Sequence, residues 1–88
     1  MTTYLLIVIP GMKQKIIKIL NDIRPEFDFS GSVNFIEQGM LDSFDIVSLV
    51  VALDNEFKIS IDGMDILPEN FSSVDRIAGL LLKKGVQE

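Results

Sequence analysis

From Met12 onward the chain sets apolar residues at Ile16, Ile17, Leu20 and Ile23, with Gln14, Lys15, Lys18, Asn21 and Asp22 between them. This i, i+1, i+4, i+7 spacing belongs to one helical face, so the segment predicts an amphipathic helix. The helix is expected to stop at about Arg24, because Pro25 crowds the residue before it out of helical geometry. Residues Glu26 to Leu41 show no sustained period and contain Ser30, Gly31, Ser32, Asn34 and Gly39, which predicts a long connecting loop. Phe27, Phe29, Phe35 and Ile36 are expected to pin that loop to the core. Loops of this length in a small domain are often functional.

A second helix is predicted from Asp42-Ser43 to about Phe57, with Asp42 as N-cap and no Gly or Pro to interrupt it. At about 100° per residue, Ile46, Leu49, Val50, Leu53 and Phe57 gather on one side, the expected core stripe, whereas Phe44, Val47 and Val51 fall on the other. Ile59-Ser60-Ile61 alternates briefly, Asp62-Gly63 marks a turn, and Pro68 is placed to open a single helical turn. A last helix is expected to start near Ser72-Ser73, where Ser72 and Asp75 have capping-box spacing. Val74, Ile77, Ala78 and Leu81 form its expected buried stripe, and Lys83-Lys84-Gly85 supplies a basic last turn and a glycine stop. The fold class expected is all-α, a small three-to-four-helix bundle with a long first loop.

A chain of 88 residues fits one domain and buries only about 60% of its unfolded surface, which leaves little room for a deep active-site cavity. The absence of Cys and His removes thiolate nucleophiles, imidazole bases, disulfides and the usual zinc and haem ligands, so the protein is not expected to be an enzyme. A net charge of -5 argues against nucleic acid and for partners with basic surfaces. The apolar run Leu5 to Ile9 is far short of the roughly 20 residues of a membrane span. It also lacks the basic flank and cleavage site of a secretory signal, so a cytoplasmic protein is expected. Pro10-Gly11 breaks the chain before Met12. Residues 1–11 therefore read as an N-terminal extension or as a misplaced translation start, and 12–88 as the domain, expected to be a monomer.

The segment Gly39-Met40-Leu41-Asp42-Ser43-Phe44 puts a serine hydroxyl at the start of the central helix, beside a carboxylate. A phosphodiester there would face the unpaired N–H groups and positive end of the helix, so its charge is favoured. Asp42 is expected to stay near the surface, where it can help a modifying enzyme hold a metal ion or the attacking hydroxyl. Asp-Ser at a helix start is also a common capping pair, and by itself it implies nothing more.

The surrounding pattern adds to it. Phe35 to Phe44 resembles the attachment segment of the acyl carrier protein family and its peptidyl and D-alanyl relatives, in which an aromatic residue and a glycine precede Asp-Ser-Leu. Val47, Leu49, Val50, Ala52, Leu53, Glu56 and Phe57 resemble that family's second helix, and Asn70 to Val74 its approach to the last one. The resemblance covers roughly Lys13 to Lys84 and implies a bundle of acyl-carrier type. It further implies that a phosphopantetheinyl transferase moves 4′-phosphopantetheine from coenzyme A to Ser43. The thiol of the arm would then carry an acyl group as a thioester to loading, acyl-transfer or condensing enzymes, and the core stripe would line a space that shelters part of an acyl chain. Phe44 replaces the usual leucine, and Ser48 and Asn55 stand where fatty-acid carriers often have glutamates, which points to a specialised lipid or secondary-metabolite pathway.

Phe44, Val47 and Val51, with Asp45, Asp54 and Glu56 around them, are the expected docking patch, apolar with acidic steering. Two other readings stay open: an aminoacyl or D-alanyl carrier, and a non-modified helical interaction domain in which Ser43 is only part of a cap. A calcium loop is disfavoured. Asp62, Gly63 and Glu69 match positions 5, 6 and 12 of an EF-hand, but Lys58 would then occupy the first ligand position.

Overall fold

The computed structural model describes residues 11–31 and 33–87. Residues 1–10, which make up nearly all of the expected N-terminal extension, lie outside the described residues. Three α-helices follow one another: α1 (Gly11–Ile23), α2 (Ser43–Phe57) and α3 (Val74–Lys83). Two short 3-10 turns, Gly63–Asp65 and Pro68–Phe71, lie between α2 and α3. The all-α bundle with a long first loop is the architecture the residue pattern predicts.

Helix α1 sits centrally, packed against both α2 and α3. Its buried residues are Met12, Ile16 and Leu20, with Ile19 and Ile23 partly buried against the same core. Ile17, expected on that face, is only half-buried and stands outside the core cluster, because the face that meets both neighbours is centred on the Ile16–Leu20 line. The helix ends as Pro25 requires: the Arg24 N–H still donates to the Leu20 carbonyl at 2.9 Å, and a tight turn follows in which the Phe27 N–H donates to the Arg24 carbonyl at 3.2 Å.

Helix α2 contributes Ile46, Leu49, Val50 and Leu53, and α3 contributes Ile77, Ala78, Leu80 and Leu81. Phe57 and Val74, expected in those stripes, are partly buried at the core's edge. The expected capping box at Ser72 is corrected by one residue. Ser73 is the N-cap of α3, its hydroxyl accepting the Arg76 N–H at 3.1 Å. Ser72 is buried because the 3-10 turn opened by Pro68 drives Phe71 into the core; its hydroxyl donates to the Glu69 carbonyl instead, at 3.0 Å. At the other end Gly85 adopts φ +91°, and the Val86 N–H closes back on the Leu81 carbonyl at 3.1 Å.

The long loop is held by its aromatic residues. Phe29 and Phe35 are fully buried and meet edge to face with centroids 4.9 Å apart, while Phe27 flanks Phe29 at 6.2 Å. The Phe35 N–H donates to the Ser72 carbonyl at 2.7 Å, which fastens the loop to the start of α3. The loop is thus a fixed part of the core that delivers the chain to the beginning of α2.

Candidate functional site

The approach to α2 is built from local hydrogen bonds. The Asn34 side-chain oxygen accepts the N–H groups of Ile36 and Glu37 at 3.0 and 2.9 Å, which winds the backbone into a tight turn. Gly39 ends the turn at φ +72°, where a side chain would be strained, and the Met40 N–H closes on the Phe35 carbonyl at 2.8 Å. Met40 and Leu41 are then buried, so the next residues are aimed outward from an anchored base.

Asp42 caps α2 in a reciprocal box: its Oδ1 accepts the Asp45 N–H at 2.9 Å and the Asp45 Oδ2 accepts the Asp42 N–H at 2.9 Å. Ser43 is the first residue of the helix and is exposed, and among the described residues nothing engages its hydroxyl in a hydrogen bond. The hydroxyl therefore stands at the positive end of the helix, open to solvent.

The sequence pattern gave no sign of Arg24 in this cluster. Its Nε donates to Asp45 Oδ2 at 2.8 Å, Nη2 to Asp42 Oδ2 at 3.2 Å and Nη1 to Glu26 Oε2 at 3.2 Å. One guanidinium thus meets three carboxylates, two of which, Asp42 and Asp45, tie the end of α1 to the start of α2. The bond from the Asp45 N–H, helped by Arg24, holds the Asp42 carboxyl below its ordinary pKa, and the Asp45 and Glu26 bonds hold the arginine above its own. Arg24 lies 18 and 21 residues from its α2 partners, and no periodicity spans that distance.

The other candidate residues divide. Phe44, Val47 and Val51 are exposed, at 84%, 57% and 54%, along one face of α2 that starts beside Ser43. Asp45, expected as a steering carboxylate on that face, is instead buried at 8% exposure, since capping and the Arg24 bond turn it inward. Asp54 is half-buried and accepts the Ile61 N–H at 3.0 Å, fastening the segment that follows α2. Glu56 is exposed but lies on the edge facing α1, with Lys15 Nζ 3.4 Å from its Oε2. Of the three acids only Asp45 is turned away from solvent; Asp54 stays half-exposed and Glu56 exposed.

A shallow apolar depression of about 210 Å³ opens beside Ser43, lined also by Ile46, Val47, Ile66 and Pro68. The 3-10 turn that precedes Ile66 is held by Lys84, which pairs with Asp62 and Asp65 at 3.0 and 2.6 Å. The bond from Lys84 lowers the Asp65 pKa, and the same bond raises that of the lysine. By contrast the core stripe is filled: Leu49, Leu53, Ile77 and Leu81 have no exposed surface.

A family model described as the phosphopantetheine attachment site matches residues 12–81. The chain belongs to this family of phosphopantetheine-binding carriers. Members hold 4′-phosphopantetheine covalently, so this carrier's prosthetic group supplies the thiol that its own sequence, without cysteine, lacks. No match to this carrier was found among curated proteins or among solved structures.

Proposed function

We propose that Ser43 is the attachment residue and that the protein presents an acyl group, held as a thioester on the arm, to successive enzymes of a specialised lipid or secondary-metabolite pathway. The observation that carries this reading is an exposed serine hydroxyl, free of described partners, at the first position of a capped helix in a chain of this family. The serine Oγ forms the new phosphodiester bond to the pantetheine-bearing phosphate of coenzyme A. The adenosine bisphosphate portion leaves, and the hydroxyl proton passes to the transferase. The fixed N–H groups of the first turn then face the anionic linkage. Asp42, exposed and anionic, is placed to help the transferase hold a metal ion or orient the hydroxyl.

The chain itself brings no catalytic group to the cargo, consistent with a sequence that has neither His nor Cys. The depression between Val47 and Pro68 suits the apolar first part of the arm's load better than the filled core does. Among the described residues no helix is long and apolar enough to cross a membrane, and a cytoplasmic, monomeric carrier is part of this reading.

Incubation with coenzyme A and a broad-specificity phosphopantetheinyl transferase, followed by intact mass measurement, tests the assignment. The wild type is expected to gain one phosphopantetheine increment and Ser43→Ala none. A folded wild type that gains nothing supports the non-modified interaction domain instead.

A further inference from the structure

Asp42 is the charged side chain next to Ser43, and it is held at both ends. Its carboxylate Oδ1 accepts the Asp45 N–H at 2.9 Å, and its own backbone N–H donates to Asp45 Oδ2 at 2.9 Å. That cap fixes one carboxylate oxygen and leaves the other to turn about it. Arg24 removes this freedom. Its Nη2 donates to Asp42 Oδ2 at 3.2 Å, and its Nε donates at 2.8 Å to the same Asp45 oxygen that receives the Asp42 N–H. The guanidinium thus supports the Asp42 carboxylate directly and the Asp42 backbone through Asp45, which its planar fork can do and a point charge cannot.

The arginine is itself fixed. It follows α1 directly and precedes Pro25; its N–H is bonded to the Leu20 carbonyl, and its carbonyl accepts the Phe27 N–H at 3.2 Å. Its side chain is half-buried, whereas Asp42 is exposed. A carboxylate oxygen has two acceptor positions, and these hydrogen bonds use one on each oxygen of Asp42, so the exposed carboxylate keeps capacity for an incoming enzyme. Without the guanidinium, Asp42 and the buried Asp45 would meet at one helix start as like charges with no cation between them.

Resting on the reading that Ser43 is the attachment residue and that Asp42 meets the transferase, we infer that Arg24 is a positioning residue for the modification, holding the Asp42 carboxylate in the orientation the transferase uses when Ser43 Oγ attacks coenzyme A. It acts through Asp42 and not on the serine. Glu26, which meets only Nη1 and lies outside α2, has no part in it.

The test is the steady-state rate of phosphopantetheine transfer as a function of carrier concentration, followed by intact mass, for wild type, Arg24→Gln, Asp42→Asn, the double variant and Glu26→Gln. Asparagine caps a helix about as well as aspartate, so Asp42→Asn removes the charge and leaves the start of α2 in place. Arg24→Gln is expected to lower kcat by about tenfold or more with KM within about threefold of wild type, as for a misplaced group at a reacting centre. Asp42→Asn is expected to lose at least as much. In the Asp42→Asn background Arg24→Gln costs less than about twofold further, since the arginine has no carboxylate left to orient. Glu26→Gln stays within about twofold of wild type, because an exposed ion pair contributes little. Melting curves place the assay temperature below the transition of every variant, so that lost folding is not read as lost transfer. An Arg24→Gln kcat within about twofold of wild type overturns the inference. So does a loss that persists undiminished in the Asp42→Asn background, which would mean that Arg24 acts on the helix start or on the phosphate directly. A wild type that gains no phosphopantetheine overturns the Ser43 reading and this inference with it, whereas a modified wild type whose rate every variant matches overturns this inference alone.

Discussion

Arg24 shows how one side chain can organise a site it does not belong to by sequence. Its three carboxylate partners come from two segments, and Asp45 is buried enough to depend on it. Arg24→Met is expected to lower the melting temperature, and Asp45→Asn in the same chain should recover part of the loss, giving a non-additive double-mutant cycle. Additive effects would mean the pair is not coupled. Asp42 has a pH signature of its own. Its folded pKa is below the unfolded value, so its contribution to stability is present above about pH 4 and is lost as pH falls through the folded pKa. Melting temperatures recorded from about pH 5 down to pH 2 should fall less steeply for Asp42→Asn than for the wild type.

At the scale of elements, the helices were readable where periodicity was strong and less so where a neighbour decided the outcome. The two faces of α2 follow from the spacing of Ile46, Leu49, Val50 and Leu53, and Asp42 at its start was readable as a cap. The inward turn of Asp45 was not, because a carboxylate one turn into a helix looks exposed until its partner on α1 is known. The capping residue of α3 is Ser73 and not Ser72 for a similar reason, since Phe71 is drawn inward by the core and takes Ser72 with it. The long loop was legible through its aromatic residues, while the Asn34 turn that aims it is a matter of backbone geometry. Gly39 carries that geometry at φ +72° with open space around its α-carbon, so Gly39→Ala should destabilise through backbone strain alone, by about 1 kcal/mol in a denaturant titration. A loss of several kcal/mol would point to a packing role that the open space does not support.

For the whole molecule, the design is a packed base that presents the Ser43 hydroxyl at the start of α2. Helix α1 holds α2 and α3, the aromatic loop closes the bundle, Arg24 ties the start of α2 to the end of α1, and Lys84 ties the end of α3 to the first 3-10 turn. Beside Ser43 three carboxylates share the single Arg24, so the start of α2 keeps part of the chain's net negative charge. The central claim is that the prosthetic group is attached at Ser43. Tandem mass spectrometry of a protease digest of the modified protein tests it most directly. Fragment ions are expected to place the phosphopantetheine on Ser43, within the peptide that carries Asp42 and Phe44; fragments that place it on any other serine would contradict the account.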